Sequence, residues 1–296
     1  MSLKKNCGIL VENTTDQQVT AVMKELFSKD MLQTHIVQHL SQGLRGPKCR
    51  VELWEIVKAI LYKLKTGVQW SYLPVNYLIS SGEVKYGAVF HHFRKWIKDG
   101  SWRNVWLRLT AKYKQMLDLS TVQLDGTHSP AKRGGTAVAY QGRKKCKTTN
   151  ILLLTDRNGL PVACGKPVAG NHNDLYQIET QLKEMFSQLK EMEVPIKGLF
   201  LNADSGFDAE SIKKALDKEE IIINAPPNRR NTRFLDSDQL LDEEMYKERF
   251  VIERTNAWMD SFRTLLVRQD TTVESWWAWH FIAFTSWMIK HRLQKL

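Results

Sequence analysis

Asp125 closes the apolar run TVQLD, and from Gly126 to Thr155 no other Asp or Glu occurs. Lys132, Arg133, Arg143, Lys144, Lys145 and Lys147 all fall inside that stretch. A lone carboxylate at the head of a cationic strip suits a metal ion held against a polyanion. Enzymes that cut phosphodiesters with metals hold two divalent ions about 3.5 to 4 Å apart between carboxylate oxygens. Magnesium keeps several of its waters, so three acids drawn from separate elements suffice. Asp204 follows a second apolar run, LFLNA, and so shares with Asp125 a place at a strand end, where a sheet meets its ligands. Glu253 supplies the third acid, because Tyr246, Arg249, Glu253 and Asp260 follow one another at steps of 3, 4 and 7 residues and so share a helical face. Each acid also has an ordinary reading: a loop start for Asp125, a turn or cap for Asp204, a solvated helix surface for Glu253.

The elements that must position these acids change character along the chain. Up to about residue 118 the pattern is helical. In VELWEIVKAILYKLKTG, Trp54, Val57, Ile60, Leu61 and Leu64 recur at helical spacing before a Gly67 stop. In EVKYGAVFHHFRKWIKDG the stripe is Tyr86, Val89, Phe90, Phe93, Trp96 and Ile97, leaving His91, Arg94, Lys95 and Lys98 as a basic face. That face fits either a groove-reading second helix of a helix-turn-helix or a solvated surface. From TVQLD to PVAG the composition is that of three adjacent strands, with Asn158-Gly159 as a tight turn and Asp156 as a turn residue. NDLYQIETQLKEMFSQLKEM predicts a long helix capped by Asn173 or Asp174. Strand, helix and strand follow through GLFLNADSGF, DAESIKKALDKE and EEIIINAPP, an α/β signature. A polar, basic insertion spans about 226–242 and carries Arg229, Arg230 and Arg233. EEMYKERFVIERTNAWMDSFRTLLVRQ resumes a helical pattern, in which Phe250, Trp258, Phe262 and Leu265 could pack on a sheet.

Composition narrows the partner. The 296 residues include 43 Lys and Arg against 32 Asp and Glu, a formal charge of +11, which favours nucleic acid. Cys7, Cys49, Cys146 and Cys164 form no CxxC pair, so reduced thiols are expected rather than a zinc site or a disulfide framework. MSLKKNCGILVENTT lacks the apolar core of a secretory signal, and a cytoplasmic protein is expected. SWWAWHFIAFTSWMI is short for a membrane span and contains His280, so it reads as a buried aromatic helix.

The motifs LDGTHSPAKRGG, AYQGRKKCKTTNILLLTDRNGLPV, PVAGNHNDL, LNADSGFD and YKERFVIERTNAWMDSFRTL, in that order, resemble a bacterial insertion-sequence transposase of the DDE class. The resemblance extends over nearly the whole chain, the front part ILYKLKTGVQWSYLP and FHHFRKWIKDGSW included. It implies a ribonuclease-H-like mixed sheet flanked by helices over 119–296, preceded by an all-α domain over 1–118 for DNA binding or oligomerisation. It implies Asp125, Asp204 and Glu253 as the catalytic, metal-binding acids, 79 and 49 residues apart. It also implies two Mg²⁺ ions, with Mn²⁺ as a substitute. Tyr246 and Arg249 match the family's Tyr and Arg and would contact DNA, but Asp260 stands where the family has a Lys. The implied activity is hydrolysis at the terminal inverted repeats to give 3′-OH ends, then transfer of those ends to target DNA. The implied partners are double-stranded DNA and a second copy of the chain. A remnant that binds DNA without cutting, and a nuclease without strand transfer, are the alternatives.

Overall fold

The computed structural model describes residues 27–43, 49–228 and 241–293. It divides into two compact units, one ending at Val105 and one beginning at Trp106. The described part of the first unit is helical, with no strand. It contains α1 (Lys29–His35), α2 (Leu53–Thr66), α3 (Val75–Leu78), α4 (Tyr86–Lys98) and the start of α5 (Ser101–Lys112), in which the boundary falls. The expected Gly67 stop is present, left-handed at φ 67°, with its N–H on the Lys63 carbonyl at 2.8 Å. α4 buries Val89, Phe93 and Trp96. Tyr86, expected in that stripe, is instead exposed, as are His91, Arg94 and Lys98. Lys95 turns back within the unit, donating to the Ser41 carbonyl at 3.0 Å.

The second unit is built on a seven-stranded sheet of β1 (Val122–Pro130), β2 (Ala139–Gln141), β3 (Cys146–Asp156), β4 (Pro161–Cys164), β5 (Val168–Ala169), β6 (Phe200–Asn202) and β7 (Ile222–Asn224). β1, β3 and β4 form an antiparallel meander, and β6 and β7 continue from β1 in parallel. Parallel strands need crossovers, which α6 (Ile178–Glu191) and α7 (Glu210–Asp217) supply. Three antiparallel strands joined through β1 to two parallel ones make a ribonuclease-H-like sheet. The meander is turned at Gly159, whose φ of 85° only glycine adopts freely. Asp156 acts there as a turn residue, accepting from the N–H groups of Asn158 at 3.0 Å and Leu160 at 2.7 Å.

Three sequence expectations are corrected. α6 begins at Ile178 after a left-handed Gln177, with no side-chain cap, so Asn173 and Asp174 lie in the preceding turn and do not cap it. Asp125 is not past its strand: β1 runs on to Pro130 because β3 pairs with it throughout. Only the pairing with β6 stops, at Gln123, so Asp125 sits just beyond the parallel part. The helical stretch after residue 242 is three helices, α8 (Glu243–Lys247), α9 (Phe250–Asp260) and α10 (Arg263–Leu266). Phe250 is exposed under Arg254, whereas Phe262 and Leu265 are buried. α11 (Val273–Met288) is the expected buried aromatic helix, with Trp276 and Trp279 at 0% exposure. No described helix is long and apolar enough to cross a membrane. Cys7, Arg229, Arg230 and Arg233 lie outside the described residues.

Candidate active site

Asp125 lies on the part of β1 that β6 leaves open and feels the charge of Asp204, and Glu253 lies on α9, which packs against β1. Asp125 is half-buried, and burial pushes its carboxyl up to about 6, against the lowering pull of Arg249 and the Gly126 N–H. Asp204 and Asp174 add negative field in the same upward direction. Asp204 ends the run after β6, and its Oδ1 accepts the Gly206 N–H at 2.8 Å, so it also caps the short 3₁₀ turn Ser205–Phe207. Glu253, on the first turn of α9, is exposed and reaches Arg249 at 3.6 Å. Arg249 stacks over Tyr246 at 6.0 Å from its ring centre. The guanidinium thus links Tyr246, Glu253 and the field at Asp125. The break between α8 and α9 does not separate these residues, because i→i−3 hydrogen bonds at Glu248 and Arg249 carry the chain round in a tightened turn.

Two sets of contacts hold that turn against the sheet. The buried Asn202 and Asn224, opposite each other at the ends of β6 and β7, bond through Asn224 Nδ2 to Asn202 Oδ1 at 2.8 Å. Asn202 then donates to the Met245 carbonyl at 2.9 Å, while Asn224 donates to the Asp242 carbonyl and accepts its N–H. On the other flank, Thr255 donates to the Gly159 carbonyl at 2.7 Å, and Glu248 accepts from Thr121 at 2.8 Å and pairs with Arg157 at 2.6 Å. Asn256 closes the gap directly, donating from Nδ2 to Asp125 Oδ2 at 3.2 Å. The sequence pointed to neither the amide pair nor Asn256. The available signal was that two short apolar runs, FLN and IIN, each end in Asn.

The cationic strip lies alongside. Lys132 and Arg133 follow β1, Arg143, Lys144 and Lys145 form the tip between β2 and β3, and Lys147 lies on β3; all six are exposed. The loop after β1 is anchored from below by the buried Arg268, which donates to the Thr136 carbonyl at 2.8 Å. Lys144 is felt by both His128 and Asp260. Burial pushes the Asp260 carboxyl up and Lys144 opposes this, so a cation faces the acid that stands in place of the family's Lys. His128 meets Thr148 Oγ1 on β3 at 3.2 Å, and burial pushes its imidazole down. His172 stacks on Tyr176 at 3.5 Å. Asp174 lies against Gly126, where an added Cβ would fall 2.1 Å from its Oδ1, and accepts from Asn150 at 2.6 Å. Among the described residues, no three His, Cys, Asp or Glu side chains are grouped closely enough to hold one metal ion together.

The model of the family described as "Transposase DDE domain" matches residues 116–286, more than half of the chain. The chain belongs to the DDE transposase family. A second transposase family model, for the IS4/5 group, matches residues 30–106 in the helical unit. No curated protein matches the chain. Solved structures similar to this transposase include a piggyBac transposase synaptic complex with hairpin DNA, 11% identical over 92% of this chain and 75% of that one, with a TM-score of 0.48. A pre-cleavage Mos1 transpososome is 13% identical over 83% and 80% of the two chains, with a TM-score of 0.29. A Mos1 mariner paired-end complex with Mn is 14% identical over 84% and 80%, also at 0.29. Family membership rests on the domain match and not on these likenesses.

Proposed function

We propose that this transposase binds the terminal inverted repeats of its own element, cuts them to free 3′-hydroxyls and joins those ends to target DNA. Asp125, Asp204 and Glu253 would hold two divalent ions, Mg²⁺ or Mn²⁺. The donor set fits such ions in its chemistry: Asp125, Asp204 and Glu253 offer carboxylate oxygens, and Asp125 is half-buried with the charges of Asp204 and Asp174 acting on it. Bound there, the ions supply charge stabilisation to the in-line displacement at phosphorus. The observation that carries the proposal is that Asp125, on the part of β1 that β6 leaves open, lies within reach of the charges of Arg249, Asp204 and Asp174.

The chain's own residues bind and orient. Arg249 holds a phosphate beside the acids, and Tyr246 supports its guanidinium. Glu253 is exposed and pairs with Arg249 at 3.6 Å, so its carboxylate would be free to hold an ion once Arg249 takes a phosphate. Lys132, Arg133, Arg143, Lys144, Lys145 and Lys147 neutralise the duplex alongside. Two ends must be cut and joined together, so the working assembly on DNA contains at least two copies.

The test is cleavage and joining of a labelled duplex carrying the element's end, with Mg²⁺ or Mn²⁺. Wild type is expected to give metal-dependent 3′ nicks and joined products. Asp125→Asn, Asp204→Asn and Glu253→Gln are expected to bind the duplex and do neither. Nicks without joining would assign a nuclease instead, and binding without nicks a DNA-binding remnant.

A further inference from the structure

Asn256 stands one helical turn beyond Glu253 on α9, and its amide crosses 131 residues of sequence to reach Asp125. Its Nδ2 donates to Asp125 Oδ2 at 3.2 Å. The other end of the amide, Oδ1, is buried and has no hydrogen-bond partner. A buried amide oxygen left without a donor is unusual in a native structure, so the side chain is seated for its bond to Asp125 at the expense of its other end. Thr255, next to it, donates to the Gly159 carbonyl at 2.7 Å and holds this turn of α9 against the β3–β4 turn.

We infer that Asn256 belongs to the ion site, its Nδ2–H fixing the Asp125 carboxylate on the open edge of β1. The inference rests on the proposed reading of Asp125 as an ion ligand. Asn256 is then a positioning residue in its bond to Asp125. An amide can donate to Asp125 where a second carboxylate would add to the repulsion already gathered there.

The deciding measurement is Mn²⁺ binding to the full chain without DNA, followed by the electron paramagnetic resonance signal of free Mn²⁺. Wild type is compared with Asn256→Ala, Asn256→Asp and Asp125→Asn, with unfolding midpoints taken in parallel. Asn256→Ala is expected to weaken Mn²⁺ binding at least tenfold while the chain stays folded. Asn256→Asp removes the N–H and sets a second carboxylate against Asp125, and is expected to weaken Mn²⁺ binding as well. Wild-type affinity in Asn256→Ala, with affinity lost in Asp125→Asn, would overturn this inference and leave the ion site standing. Unchanged affinity in Asp125→Asn as well would remove the ion site itself. Should Asn256→Ala fail to fold, Asn256→Asp decides: Mn²⁺ binding as tight as wild type there overturns the inference.

Discussion

A carboxyl that titrates near pH 6 in the folded chain and near 3.8 when unfolded lowers stability as it ionises. The unfolded chain gives up its proton first, so folding stability contributed at Asp125 is retained below about pH 3.8 and declines as pH rises through 6. At about 1.4 kcal/mol per pH unit the full effect is roughly 3 kcal/mol, and partial solvent access reduces it toward 1. Asp125→Asn is therefore expected to raise the stability of the metal-free chain at pH 7 by roughly 1–3 kcal/mol, read from urea unfolding in the presence of a chelator. Added Mn²⁺ is expected to stabilise wild type and leave the variant unmoved; a variant no more stable than wild type would contradict the burial of that charge. At this scale Asp125 was legible because an acid next to six cations breaks the local charge pattern. Asn256 was not, because an amide on a helix carries no periodicity and its partner lies 131 residues away.

Among the elements, the turn joining α8 to α9 depends on two buried amides and one glycine. Asn224→Ala would leave Asn202 Oδ1 and the Asp242 N–H without these bonds and take one of two donors from the Asp242 carbonyl, which keeps the Tyr246 N–H. A loss of about 3 kcal/mol is expected, with faster amide exchange confined to residues 242–253 as the local signature. Gly159→Ala meets two penalties together: a φ of 85°, and a Cβ placed 2.8 Å from Thr255 Oγ1 and 2.9 Å from Val251 Cγ1. It is expected to destabilise by about 1–3 kcal/mol and to lower cleavage, because the displaced helix carries Glu253. Unchanged cleavage in Gly159→Ala would show that the β3–β4 turn does not set the position of α9. The apolar cores of β1, β3, β4, β6 and β7, the Asn158-Gly159 turn and the aromatic helix were legible, since each rests on local composition; β2 and the continuation of β1 to Pro130 were not. The start of α6 and the breaks around α8, α9 and α10 were not, because side-chain bonds to distant strands override helical spacing there.

Over the whole molecule, charge and burial govern behaviour in opposite ways. Replacing Arg143, Lys144 and Lys145 by Gln is expected to weaken binding to every duplex alike and to flatten its salt dependence, by about 0.9 in logarithmic slope for each phosphate no longer neutralised. An unchanged slope would place the duplex elsewhere. In the core, His280 is buried on α11, donates from Nδ1 to the Trp276 carbonyl at 3.0 Å, and is pushed down to about 4 by burial. Its contribution is complete above the unfolded value near 6.5 and is lost as pH falls toward 4, on the order of 3 kcal/mol. His280→Phe is expected to flatten unfolding stability across that window, measured by urea titration at several pH values. The bond between Asn256 and Asp125 also orders events during synthesis. Asp125 leaves the ribosome long before the helix that steadies it, and domains fold as their chain emerges. A chain that ends before α9 has neither Glu253 nor the amide that fixes the first acid. On the proposed reading, no chain cuts DNA before α9 has been made.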